Sequence, residues 1–171
     1  MQTATCEYLD LLDTAIAEKD PIKRMAIVGV YCVAQMNHFE RAMQKPFNPM
    51  LGETFEMQKP GKYKCIAELA VHHPPIMAYY VEGDSGYTRM TTMRPKPKFV
   101  KGSISVFNQN KDYIELRPHN ERFEITNPGV SINNIIIGTP YIDVVGKLYV
   151  RNMADPKNTY CCIEFHKRGW S

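Results

Sequence analysis

Apolar positions near the start of the chain recur at helical spacing, and beyond Glu53 they alternate in short runs. Tyr8, Leu9, Leu12, Ala15 and Ile16 fall on one face of a helical projection, which predicts an amphipathic helix over residues 4–18. Asp20-Pro21 then offers an N-cap followed by proline at the first helical position, so a second helix is predicted from there to about Ala42. The first part of that helix is apolar nearly all round, and the run from Met25 to Met36 is interrupted only by Gln35. A bilayer span takes roughly 20 apolar residues, so this run predicts a helix buried by other structure in a soluble chain. Lys45-Pro46-Phe47-Asn48-Pro49 ends helicity, because each proline lacks an N–H and restricts the residue before it.

The later pattern predicts strands near 53–58, 63–70, 76–82, 87–93, 98–107, 112–117, 121–126, 132–138, 141–152 and 159–166. Pro60-Gly61, Gly83-Asp84, Asn108-Gln109-Asn110 and Asn127-Pro128-Gly129 separate them as turn signals. Strands at such short spacing indicate an antiparallel meander, sandwich or barrel. The fold class is therefore α+β, two N-terminal helices followed by an antiparallel sheet, with no internal repeat. At 171 residues the chain has the length of one domain.

Charge is unevenly distributed. Residues 1–56 hold five Lys/Arg against eight Asp/Glu, residues 57–111 nine against three, and residues 112–171 seven against seven. The middle block, with Lys59, Lys62, Lys64, Arg94, Lys96, Lys98, Lys101 and Lys111, suits phosphates, whether on nucleic acid or on an anionic membrane surface. A solvated strand face explains any single lysine equally well. Arg94-Pro95-Lys96-Pro97-Lys98 lacks the glycines and interleaved aromatics of an RNA-binding sheet, so no nucleic-acid partner is expected. The five cysteines include no C-x-x-C pair, and neighbouring Cys161 and Cys162 in a strand would face opposite ways. The N-terminus has acids where a secretion signal needs a basic start. Free thiols in the cytoplasm and no metal are the expectation.

His72-His73-Pro74-Pro75 is the conspicuous chemical feature. In a regular strand neighbouring imidazoles face apart, but the prolines force extended geometry on His73 and end ladder pairing. Both rings can then converge at a strand end, where they could donate hydrogen bonds to a phosphate. A pair of surface or capping histidines is the other reading. No third ligand at metal spacing accompanies them, and no nucleophile elbow, P-loop or dinucleotide fingerprint is present. Glu53 and Glu56 are not placed across a shared substrate. Neither an enzyme nor a cofactor is predicted.

Lys45-Pro46-Phe47-Asn48-Pro49-Met50-Leu51-Gly52-Glu53-Thr54-Phe55-Glu56 resembles a segment of the oxysterol-binding-protein-related proteins. Glu68 with His72-His73-Pro74-Pro75 is similar to the ends of that family's fingerprint, while Leu69, Ala70 and Val71 depart from its middle. Asn134-Ile135-Ile136-Ile137-Gly138, Gly146-Lys147-Leu148 and Lys167-Arg168-Gly169-Trp170 extend the resemblance over nearly the whole chain. The resemblance implies an incomplete antiparallel β-barrel around an apolar tunnel. It also implies binding of a sterol or another lipid and of phosphatidylinositol 4-phosphate, with exchange between membranes at transient contacts. Lys45, Asn48, His72 and His73 are the implied headgroup ligands. Val28, Cys32, Gln35, Ile76, Ala78 and Val106 are candidates for the tunnel lining, Gln35 toward a sterol hydroxyl. Only a few residues precede the first helix and the chain stops at Trp170-Ser171. Residues 1–171 are therefore expected to form a single, partial domain without the family's lid and C-terminal portion. The alternative is a phosphoinositide-sensing or partner-dependent interaction module unable to enclose a lipid.

Overall fold

The computed structural model describes residues 6–41, 47, 49–100 and 102–166. Helix α1 covers Asp10–Ala17 and α2 covers Pro21–Ala34. The Asp20 carboxylate accepts from the Ile22 N–H at 2.8 Å and the Lys23 N–H at 3.3 Å, so α2 starts where its cap was legible. It ends earlier than expected. After Ala34 the chain tightens into a 3₁₀ stretch over Gln35–Arg41, where His38 Nδ1 bonds the Gln35 carbonyl that an α-helix would offer to the main chain.

Eleven strands follow among the described residues: β1 Thr54–Lys59, β2 Tyr63–Val71, β3 Ile76–Gly83, β4 Tyr87–Met93, β5 Pro95–Val100 and β6 Ser103–Asn108 come first. β7 Asp112–Leu116, β8 Glu121–Thr126, β9 Gly129–Asn133, β10 Tyr141–Asn152 and β11 Tyr160–Phe165 complete the set. Two expectations need correction. The segment 98–107 is a hairpin of β5 and β6, turned at Gly102 with φ +79°, which suits glycine. The strand expected over 132–138 stops at Asn133. Asn134 takes φ +57° and its side-chain amide donates to the Thr139 carbonyl at 3.3 Å, closing a loop that leaves Ile135–Ile137 outside the sheet.

All pairs are antiparallel, in the order β1-β2-β3-β4-β7-β8-β10-β9-β6-β5, with β11 also pairing β10. β1 and β5 do not pair with each other, so the sheet is open, as the incomplete barrel of the sequence reading requires. Edge strand β5 carries Pro95, Lys96, Pro97 and Lys98, residues that discourage pairing with another chain.

The register puts Cys65, Val81, Ile114 and Phe123 in line across β2, β3, β7 and β8, with Arg89 between them on β4. Both helices cover this face. Leu12, Ala15, Val28 and Tyr31 are fully buried against Tyr87, Ile114, Leu116, Phe123, Leu148 and Val150. Cys161 packs inward while Cys162 is exposed, the opposed orientation predicted for neighbours in a strand. Arg24 ties the start of α2 to β8. Its Nε donates to Glu121 Oε2 at 2.6 Å and Nη2 to Oε1 at 3.1 Å, while Nη1 reaches the Glu18 and Lys19 carbonyls. No helix among the described residues is long and apolar enough to cross a membrane.

Candidate functional site

The described part of the first sequence motif, Pro49–Glu53, meets the strand that carries the second at one end of the sheet. Glu53 Oε2 accepts from the Met50 N–H at 2.7 Å and the Glu53 N–H donates to the Met50 carbonyl, closing a turn. Gly52, at φ +75°, then donates its N–H to the Leu69 carbonyl at 2.9 Å, and the Leu69 N–H returns to the Glu53 carbonyl at 3.4 Å. This clasp lays Pro49–Glu53 alongside the last residues of β2. The register of β2 against β3 shifts between Leu69 and Val71, and His72–Pro75 form the turn into β3. The His73–Pro74 bond is cis.

The two imidazoles converge as the prolines suggested. Their ring centroids are 4.3 Å apart with planes tilted by 52°, and both residues are exposed. Neutral or charged, such a pair offers ring N–H donors to one anion. Glu68 stands on the outer face of β2, opposite Thr54 and Ala78. Lys45 and Asn48 lie outside the described residues.

The basic block of the sequence divides in space. Lys59, Lys62 and Lys64 surround the β1–β2 turn, at the other end of β2 from His72. An extended strand of that length separates them by roughly 25 Å. Lys64 is paired with Glu82 at 3.0 Å and Lys111 with Glu124, while Arg89 points into the helix-covered face, where it bonds Tyr31. Arg94, Lys96 and Lys98 are exposed beyond the histidine end of β4.

The residues named for a tunnel occupy three places. Val28 and Cys32 are buried in the core between α2 and the sheet. Gln35 is buried beside them, donating to the Glu7 carbonyl at 2.6 Å and accepting from Arg89 Nη1 at 3.0 Å. Ile76 and Ala78 are half-buried where β3 leaves the histidine turn; Ala78 pairs with Glu68 and Thr92, on the face opposite Tyr79 and Val81. Val106 pairs with Val130 on a second, half-buried apolar surface that Ile104, Ile132, Ile142 and Val144 share.

One buried polar cluster had no counterpart in the sequence reading. Arg89 Nη1 donates to Tyr31 Oη at 2.8 Å as well as to Gln35, and its Nη2 lies 4.0 Å from Asp112, which accepts from Asn127 at 2.7 Å. Burial pushes the Tyr31 hydroxyl and the Cys32 thiol each up to about 12, with Arg89 opposing both shifts. Burial also raises the Asp112 carboxyl, again against Arg89. A cavity of about 10 Å³ lies among Tyr31, Gln35, Arg89, Asp112 and Asn127, the room of a single water. Its signal was the placement of Arg89 two residues from both Tyr87 and Thr91, on the inward phase of β4.

Comparison with known proteins places this geometry in a family. A family model described as Oxysterol-binding protein matches residues 1–171. Human oxysterol-binding protein-related protein 7 is 33% identical over 168 residues, covering 96% of this chain and 20% of its own length. Protein 3B of that group from Arabidopsis thaliana is 30% identical over 164 residues, covering 96% of this chain and 35% of its own. Among solved structures, the Osh3 ORD from Saccharomyces cerevisiae in complex with PI(4)P superposes with a TM-score of 0.87 at 28% identity, covering 99% of this chain and 45% of that one. The Osh1 ORD domain in complex with ergosterol gives 0.86 at 30% identity, covering 98% and 40%. The chain spans less than half of each of these proteins, yet over its own length the two helices and the open sheet correspond, and it belongs to the oxysterol-binding protein family.

Proposed function

We propose that this chain is a non-enzymatic lipid-binding module that takes the phosphorylated headgroup of phosphatidylinositol 4-phosphate at His72 and His73. Lys45 and Asn48 complete the headgroup set, and a sterol or another lipid is the second cargo, exchanged between membranes. The module works in the cytoplasm and meets membranes transiently. The observation that supports this reading is the clasp of Gly52 and Glu53 with Leu69, which joins the chain just after the lysine-asparagine motif to the strand that ends in the histidine pair. An ammonium and two imidazoles would give a phosphate several charge-assisted hydrogen bonds. The relatives solved with PI(4)P and with ergosterol support both ligand classes.

Vesicle co-sedimentation tests it. The wild-type chain is expected to bind vesicles containing phosphatidylinositol 4-phosphate, and Lys45→Ala or the double variant His72→Ala/His73→Ala should lose that preference. Unchanged binding by these variants, with unchanged circular dichroism, contradicts the assignment. A second reading is favoured by the open sheet and the water-sized cavity: a phosphoinositide-sensing or partner-dependent interaction module that does not enclose a lipid. Mass spectrometry of lipid copurifying with the chain separates the two, because only the enclosing module retains sterol through purification.

A further inference from the structure

The geometry points to a membrane-inserting prong built from the Ile135–Ile137 loop and Phe99, with Lys96 and Lys98 on the same edge strand as Phe99, that docks on an anionic lipid surface. Ile136 is 77% exposed, Ile137 84% and Phe99 74%, values that a folded chain rarely gives to three large apolar side chains in one region. The loop and the β5–β6 turn are adjacent, since the Ile135 N–H donates to the Gly102 carbonyl at 3.3 Å. The Asn134 bond to Thr139 closes the loop and holds Ile135–Ile137 at its tip.

Strand directions fix where the prong lies. Thr126, at the end of β8, pairs with Tyr149, and β10 begins eight positions earlier at Tyr141, which pairs with Asn133. The antiparallel chain of pairings from β2 through β3, β4, β7 and β8 puts the end of β8 at the same end of the sheet as His72–Pro75. The loop after β9 therefore stands about 25 Å beyond the end of β8 along the strand direction, and the end of β8 lies level with Glu68, four residues before His72.

Charge selects the occupant. Lys96 and Lys98 are exposed, and neither has an ion-pair partner among the described residues. Arg94 adds a third exposed cation at the base of β5. Apolar side chains flanked by lysines match an interface whose headgroups are anionic and whose acyl region begins a few ångströms below. This docking surface rests on the headgroup reading only for its orientation, because the prong and the histidines share no residue.

The test uses the full chain and vesicles of phosphatidylcholine with phosphatidylserine, containing no phosphoinositide. Wild-type binding is expected, weakening as salt is raised. Ile136→Asp/Ile137→Asp should weaken it at least about tenfold, and Lys96→Glu/Lys98→Glu by more than about fivefold for each lysine reversed. His72→Ala/His73→Ala should leave it unchanged, so failure of the headgroup reading and failure of the prong give different results. In Ile136→Trp the indole emission, read against the chain's single native tryptophan, should shift blue on adding these vesicles. Binding by the isoleucine variant equal to wild type, or no binding by wild type, overturns the inference. So does concentration-dependent dimerisation that the isoleucine variant abolishes while wild type ignores vesicles, which would assign the surface to a second copy of the chain.

Discussion

Arg89 is held between a helix, a 3₁₀ turn and a neighbouring strand. It satisfies Tyr31 and Gln35 directly and faces Asp112 across 4.0 Å. Replacing it leaves Asp112 with reduced compensation inside the core, so Arg89→Met should cost about 3–5 kcal/mol, read from urea midpoints at pH 7. Tyr31 and Cys32 add a pH dependence whose sign is fixed by burial. Their ordinary values are 10.0 and 9.0, and both rise to about 12 in the folded chain. Between those limits the unfolded chain has released protons that the folded chain keeps, so stability is full below the lower values and falls as pH rises toward 12. Cys32→Ala should cost about 1 kcal/mol at neutral pH and flatten this alkaline decline. Urea midpoints at a neutral and at two alkaline pH values measure both effects. In the sequence Arg89 belonged to the basic block, because composition counts a charge without its burial. Gln35 was legible as a special position, a lone amide in an apolar run, but its partners, Glu7 and Arg89, come from distant parts of the chain.

Elements were legible wherever a local signal set their limits. Asp20-Pro21 marked the start of α2 because capping is decided within a few residues, and Asp20→Ala should cost about 1 kcal/mol. The β5–β6 hairpin was missed because its turn rests on one glycine, Gly102, inside an otherwise continuous β pattern. The Ile135–Ile137 run read as strand since apolar residues there look the same whether they pack or protrude. The docking of α2 on the sheet depends on a contact no local pattern encodes, Arg24 with Glu121, ninety-seven positions apart. Both side chains are largely buried, so Arg24→Ala should cost about 3 kcal/mol. A double-mutant cycle with Glu121→Gln would show strong coupling. Gly83 is fixed by packing: an added Cβ would lie 2.2 Å from the Tyr87 ring, so Gly83→Ala should cost about 1–3 kcal/mol in thermal unfolding.

On the scale of the whole molecule, the open sheet separates two regions. One half, from β1 to β8 with β11, is covered by the helices and holds the packed core. The other, from β9 to β5 with the first half of β10, keeps an apolar surface half-buried. The histidine turn and the isoleucine loop lie toward the same end of the strands. That arrangement suits a module approaching a membrane end-on, with one feature for headgroup chemistry and another for apolar contact. The α+β class could be read from residue order. The division of the basic block could not, because strand length carries Lys59, Lys62 and Lys64 away from the histidines that neighbour them in sequence.

The central claim is that the His72–His73 pair holds a lipid phosphate. Titrating the wild-type chain with short-chain phosphatidylinositol 4-phosphate while recording imidazole nitrogen resonances tests it most directly. Saturable shifts at both His72 and His73, with no heat of binding in the His72→Ala/His73→Ala variant, are the predicted result. Binding that leaves both imidazole signals unmoved would contradict it.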